Sequence, residues 1–147
     1  MERGRRIAFD YGDARIGVAV SDPDSILAIP VITLDTKSHD LWDRVFELFS
    51  EYEPVEIFVG RPVHLAGHES ESTVKSESFA REIRERFGLE VSLIDERLST
   101  VSAQRKLKDA GLSTRKSKGA IDQAAAVGIL ELALESAKER ERREGNE

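Results

Sequence analysis

The chain has 147 residues, 39% of them hydrophobic, no cysteine and a formal net charge of −6. That length fits one domain with an ordinary core, and the lack of cysteine excludes a disulfide framework, a thiolate metal site and a thiol nucleophile. The acidic balance is not that of a general nucleic-acid binder.

In chain order, an apolar run, Ile7-Ala8-Phe9, ends in the carboxylate of Asp10. A turn follows at Tyr11-Gly12-Asp13-Ala14, and a second run from Ile16 to Val20 heads back with Gly17 in its first half. The pattern predicts a hairpin of strands over 5–11 and 15–21, the first apolar enough to be buried on both faces. Ending a buried strand in an ionised group costs free energy unless something pairs it. A divalent cation and a turn-capping role both remain open for Asp10. A third strand is expected over 26–34, at a sheet edge, because Pro30 lacks a ladder N–H. Ser38 is placed to cap a helix whose apolar positions Leu41, Val45, Leu48, Phe49 and Tyr52 recur at helical spacing. That helix stops before Pro54. A fourth strand, Val55 to Val59, leads into Gly60-Arg61-Pro62, and a polar loop carries His64, Gly67 and His68. A second helix is expected over about 72–87, stopped by Gly88, then a fifth strand over Leu89–Ile94 that runs into Asp95-Glu96-Arg97. A third helix, capped by Ser99 or Thr100, ends at Gly111. A basic linker, Ser113–Gly119, precedes a last helix that starts near Ile121, with Asp122 in its first turn. The single domain is read as 1–137, and the charged segment 138–147 as a fraying tail.

Three strands joined by short turns form an antiparallel meander. The two that follow crossover helices should lie parallel to the first. With the first strand central, Asp10, Gly60-Arg61 and Asp95-Glu96 reach the same sheet edge, the one where open α/β sheets bind ligands. Asp122 either joins them or serves the dipole of its helix. Clustered carboxylates repel unless a cation sits between them. An oxygen-only donor set without thiols favours Mg²⁺ or Mn²⁺. From Arg97 to Lys118 seven basic residues face one acid, Asp109, a local +6 over 22 residues against −12 for the rest. This stretch, with Arg115 and Lys118, is either a polyanion-binding face or a solvated helix face.

Four stretches carry a resemblance: Asp10-Tyr11-Gly12 with Gly17; Val59-Gly60-Arg61-Pro62 with Gly67; Asp95-Glu96-Arg97-Leu98-Ser99-Thr100; and Ile121-Asp122-Gln123-Ala124-Ala125. In this order they are similar to the motifs of the YqgF (RuvX) family of pre-16S rRNA nucleases, also described as Holliday-junction-resolvase-like. The match spans about residues 5–135. The resemblance implies an α/β, RNase H-like fold: a five-stranded mixed sheet, three strands antiparallel and two parallel, flanked by helices. It further implies a metal-dependent endonuclease acting on structured RNA or branched DNA, and 5′-end processing of pre-16S rRNA in ribosome biogenesis. The catalytic and metal-binding acids would be Asp10, Glu96 and Asp122, with Asp95 or Glu96 facing the site. Gly12, Arg61, Arg97, Thr100, Arg115 and Lys118 would meet substrate. Three acids are placed where the RNase H-type site has four, which leaves one metal or two open. The expected partners are nucleic acid, RNA ahead of DNA, and ribosomal precursor particles.

No apolar run approaches the roughly 18 residues of a membrane span, and the start MERGRRIAF lacks the apolar region of a signal peptide. A cytoplasmic monomer or weak homodimer with no membrane partner is therefore expected. Two other readings stand beside the nuclease. One is a non-catalytic binding factor in ribosome assembly or transcription. The other is a relative of actin-like kinases, whose phosphate hairpin Asp10-x-Gly12 resembles but which need two such domains.

Overall fold

The computed structural model describes residues 1–62, 71–96 and 115–145. The expected hairpin forms: β1 (Arg6–Tyr11) pairs antiparallel with β2 (Arg15–Ser21) in the register Ile7↔Val20 through Tyr11↔Ile16. β3 (Ala28–Asp35) extends the meander at the sheet edge. Pro30 stands opposite Ala19, just past a register shift at Val18/Ala19, so its missing N–H interrupts an edge ladder rather than a central one. Ile26 and Leu27 precede the strand instead of belonging to it; both backbone N–H groups donate to Asp22 Oδ1.

Next come α1 (Leu41–Tyr52), β4 (Glu56–Arg61), α2 (Glu71–Phe87), β5 (Val91–Asp95) and α3 (Arg115–Gly145). The sheet order is β3-β2-β1-β4-β5, with β4 parallel to β1 and β5 parallel to β4. β1 is central, as its two-sided apolarity demands.

Alternation along β1 divides the core into two layers. Ile7 and Phe9 join Val45, Phe49, Phe79 and Ile83 beneath α1 and α2. Ala8 faces the other way and meets Ala19, Phe58 and the Ala125, Ile129 and Leu130 face of α3. Ile7, Phe9, Ile57 and Ile129 are fully buried; each side chain of this kind contributes about 1.5–3 kcal/mol. Alanine on both sides of the second layer lets α3 lie close to the sheet.

Three local expectations change. Asp40, not Ser38, occupies the N-cap of α1, and no side chain caps the helix by hydrogen bond; Ser38 instead bonds the Asp40 carboxylate. The last helix starts at Arg115, four residues before Gly119, and absorbs part of the expected linker. A mid-helix glycine costs about 1 kcal/mol. Here Thr33 Oγ1 donates to the Gly119 carbonyl at 2.9 Å, and that contact holds the turn on β3. At its far end α3 remains helical through the charged residues from Lys138, and Lys138 Nζ donates to the Ser25 carbonyl. The helix expected between Thr100 and Gly111 lies outside the described residues.

Candidate active site

Asp10 is the second-last residue of β1 and is 3% exposed. Its cross-strand partner on β2 is Gly17, and the parallel register matching Phe9 to Val59 brings Gly60 alongside it on β4. Residues opposite one another on neighbouring strands present the same sheet face. Gly17, Asp10 and Gly60 thus form a row on the face covered by α3. Both glycines are there because something else fills the space of a side chain. A methyl at Gly17 would stand 1.9 Å from the carbonyl oxygen of Asp122 and 2.9 Å from the Gln123 nitrogen. A methyl at Gly60 would stand 2.4 Å from Ile129 Cδ1 and 2.8 Å from Glu96 Oε1. The backbone of α3 therefore rests on β2 at Asp122, and the Glu96 carboxylate lies over β4 beside Asp10.

Glu96, directly after β5, is 4% exposed and Asp122 is 1% exposed. Three buried carboxylates, from β1, from the end of β5 and from α3, thus approach one sheet edge on one face. Between the adjacent acids, Glu96 is the one whose carboxylate reaches the glycine row. Asp95 is half-buried at the end of β5, opposite Arg61. Asp122 lies in the second turn of α3 rather than the first, so its burial is not explained by helix-dipole capping, which fades beyond the first turn. Among the described residues no three His, Cys, Asp or Glu side chains stand close enough together to ligate one ion as placed.

Arg15, which opens β2, is tied to Asp122 of this group. Its Nε donates to Asp122 Oδ2 at 2.8 Å, and its side chain is 25% exposed. Nothing in the linear spacing ties two residues 107 positions apart, so Arg15 was missed among the candidates. The available signal was a lone basic residue at the start of an otherwise apolar strand, just past the hairpin tip. Gln123 Nε2 donates to Thr33 Oγ1 at 3.0 Å, which fixes the same turn of α3 against β3.

The expected substrate-binding residues fall in several places. Arg61 ends β4 at the same edge and forms an ion pair with Glu77 of α2, Nε to Oε1 at 2.7 Å. Gly12 makes the hairpin turn: a methyl there would stand 2.6 Å from the Arg15 carbonyl oxygen, and its own carbonyl accepts from Thr36 Oγ1. Arg115 and Lys118 lie in the first turn of α3, beyond the Asp122 turn. Arg97 and Thr100 lie outside the described residues. The hairpin tip is tied to α2 by Lys75, whose Nζ pairs with Asp13 and Glu71; both carboxylates raise the Lys75 pKa. Next to Asp10, burial and the Asp13 charge push the Tyr11 hydroxyl up from its ordinary value, so it stays protonated.

This fold, with acids at the ends of β1 and β5 and on the covering helix, defines an RNase H-like protein. The solved structure of Thermus thermophilus RuvC in complex with a Holliday junction substrate superposes with a TM-score of 0.56 at 15% identity, covering 92% of this chain and 96% of that one. A second structure of T. thermophilus RuvC gives 0.54 at 13% identity. At such identities the likeness speaks for the fold alone. The family follows from sequence. Residues 4–136 match the family described as "RuvX: Holliday junction resolvase", and the chain belongs to it. Relatives in Streptomyces avermitilis, 47% identical over 92% of this chain and 88% of their own, and in Streptomyces coelicolor, 46% identical over 92% and 83%, carry the name "Putative pre-16S rRNA nuclease". So does a relative in Mycobacteroides abscessus, at 46% identity. The sequence expectation of this family, and of the hydrolase class it stands for, is met.

Among the described residues no helix is long and apolar enough to cross a membrane.

Proposed function

We propose that this protein is a metal-dependent endonuclease that hydrolyses phosphodiester bonds in structured RNA, with the 5′ end of pre-16S rRNA as substrate, acting in the cytoplasm on ribosomal precursor particles. The observation that carries the reading is the burial of Asp10, Glu96 and Asp122 around one glycine row at one sheet edge. Three buried carboxylates brought to one sheet edge form a site that attracts positive charge. Their donor set, oxygen alone, suits Mg²⁺ or Mn²⁺. Asp10, Glu96 and Asp122 would hold the ion, which when bound supplies Lewis-acid stabilisation of phosphoryl oxygens and a nucleophilic water at neutral pH.

The chain's own residues do the rest. Gly17 lets the backbone of Asp122 rest on β2, and Gly60 leaves room for the Glu96 carboxylate over β4, so the two glycines bring both acids towards Asp10. Arg15 holds the Asp122 carboxylate in one orientation and offsets its charge. Arg61 stands at the same edge, where a guanidinium suits phosphate oxygens. The family resemblance assigns Arg97, Arg115 and Lys118 to substrate as well, and contacts of basic residues with phosphate make binding salt-dependent.

The test is cleavage of a labelled precursor-rRNA 5′ segment, beside a four-way DNA junction, with Mg²⁺, Mn²⁺ or EDTA, by the wild type and Asp10→Asn. Metal-dependent cutting of the RNA that the variant loses is the expected result. Cutting of the junction alone would replace the substrate with branched DNA, as the family's description suggests. Intact binding with no cutting of either would make the protein a binding factor.

A further inference from the structure

Among the described residues Arg15 is held by one nitrogen only. Its Nε is bonded to Asp122, and among the described residues its two terminal nitrogens have no hydrogen-bond partner. A guanidinium carries five donors in a planar fork, and a buried or half-buried fork normally finds more than one acceptor. The side chain lines a cleft of about 350 Å³ bounded by Ala14, Arg15, Thr33, Leu34, Asp35 and Gly119. The cleft thus runs between the start of β2, the end of β3 and the second turn of α3. Its walls are fixed: Thr33 Oγ1 bonds the Gly119 carbonyl and accepts from Gln123 Nε2. Asp35, the acid in the wall, is engaged by its own turn, its Oδ1 accepting from the Lys37 N–H. Next to the cleft, α3 opens with Arg115, Lys116 and Lys118.

We propose that Arg15 is a substrate-binding residue: its terminal nitrogens take a backbone phosphate of the nucleic acid, and the cleft between β2, β3 and α3 is the track of the strand next to the cleavage point. The inference rests on the nuclease reading and adds a residue and a direction to it. The geometry explains why the cation is arginine. One edge of the fork is fixed by a carboxylate that is itself nearly inaccessible, so the other edge is pre-oriented, and little rotamer freedom is lost when phosphate binds. The fork grips two oxygens of a phosphate, whereas a lysine would offer a point charge. The same side chain joins the site to its substrate: it touches Asp122 on one side and phosphate on the other.

The test measures binding rather than cleavage, in EDTA, by fluorescence anisotropy with the labelled precursor-rRNA segment and the four-way junction, at several salt concentrations. Because Arg15→Gln takes a guanidinium away from a buried carboxylate, the comparison is made in the Asp122→Asn background, where that charge is gone, and melting curves check the fold of each protein. Arg15→Gln in that background should weaken binding about tenfold. It should also lower the slope of log K against log salt by about 0.7–0.9, one phosphate contact. Arg15→Lys in the wild-type background should restore the slope but not the full affinity. Equal affinity and slope for Asp122→Asn and the double variant would reduce Arg15 to the counter-ion of Asp122 and overturn the proposal, while leaving wild-type cleavage untouched. A wild type that binds neither nucleic acid would overturn this proposal together with the reading it rests on.

Discussion

The α-hydrogen of Gly17 points at the backbone of Asp122: a methyl in its place would stand 1.9 Å from the Asp122 carbonyl oxygen. The contact is backbone against strand, so no side-chain rotation relieves it. Overpacking a core costs about 1–3 kcal/mol, and a clash with a helix backbone belongs at the upper end. Gly17→Ala should therefore lose about 3 kcal/mol in denaturant unfolding. It should also lose most cleavage, because the turn that must shift carries the Asp122 carboxylate. Full activity with the expected loss of stability would show that the position of Asp122 is not critical.

Gly60 offers a contrast, because what stands against it is two side chains. A methyl there would meet Ile129 Cδ1 at 2.4 Å and Glu96 Oε1 at 2.8 Å. Gly60→Ala should cost about 1–3 kcal/mol, and Ile129→Val alone about 0.5–1.5 kcal/mol. In the double variant the atom closest to the new methyl is absent, so the two losses should not add. Stability should recover, yet cleavage should not, since the Glu96 carboxylate is still displaced. Recovery of both in the double variant would argue that only the packing under α3 matters at Gly60.

Much of this was legible in the chain. An apolar run with no polar alternation marked β1 as central, and centrality places Asp10, Arg61 and Glu96 at one edge. Pro30 marked β3 as an edge strand. What stayed hidden has physical causes. At the end of a strand the period-2 alternation no longer says which side chain faces where, so the residues alone could not choose between Asp95 and Glu96; in the structure the Glu96 carboxylate lies over Gly60. Gly119 reads as a linker residue, yet the Thr33 hydroxyl holds it inside α3, which moves Asp122 one turn deeper. The pairing of Arg15 with Asp122 joins residues 107 positions apart through the closeness of α3 to β2, a closeness set by Gly17 and the alanines around it.

The loop between β2 and β3 gives a pH test remote from the site. Asp22 Oδ1 accepts from the Ile26 and Leu27 N–H groups at 2.7 and 2.8 Å, and these bonds, that of Leu27 foremost, hold its pKa below the ordinary 3.8. A carboxyl whose pKa is lower in the folded chain stabilises the fold above its unfolded value, and that contribution disappears as pH falls through the folded value. Asp22→Asn keeps an acceptor oxygen but loses the charge. The wild type should melt above the variant at pH 7, and the gap should close as pH falls below about 4. A gap that stays constant from pH 7 to pH 3 would assign the loop's stability to its shape rather than to the ionised carboxylate.

Melting curves also locate the metal without any assay of cleavage. An ion that binds the folded chain alone raises stability by RT ln(1 + [L]/Kd), about 1.4 kcal/mol at ten times Kd. For a domain near 150 residues that is a shift of roughly 3–5 °C. Mg²⁺ or Mn²⁺ should raise the wild-type midpoint by this amount relative to EDTA. Asp10→Asn and Glu96→Gln should shift little, because each removes a charged oxygen donor from the edge where the ion is proposed to sit. Asp122→Asn also frees Arg15 from its carboxylate and leaves a guanidinium uncompensated beside the ion, so its shift should be the smallest of the three. An unchanged shift in all three variants would place the ion away from the glycine row and leave the buried acids without the role assigned to them.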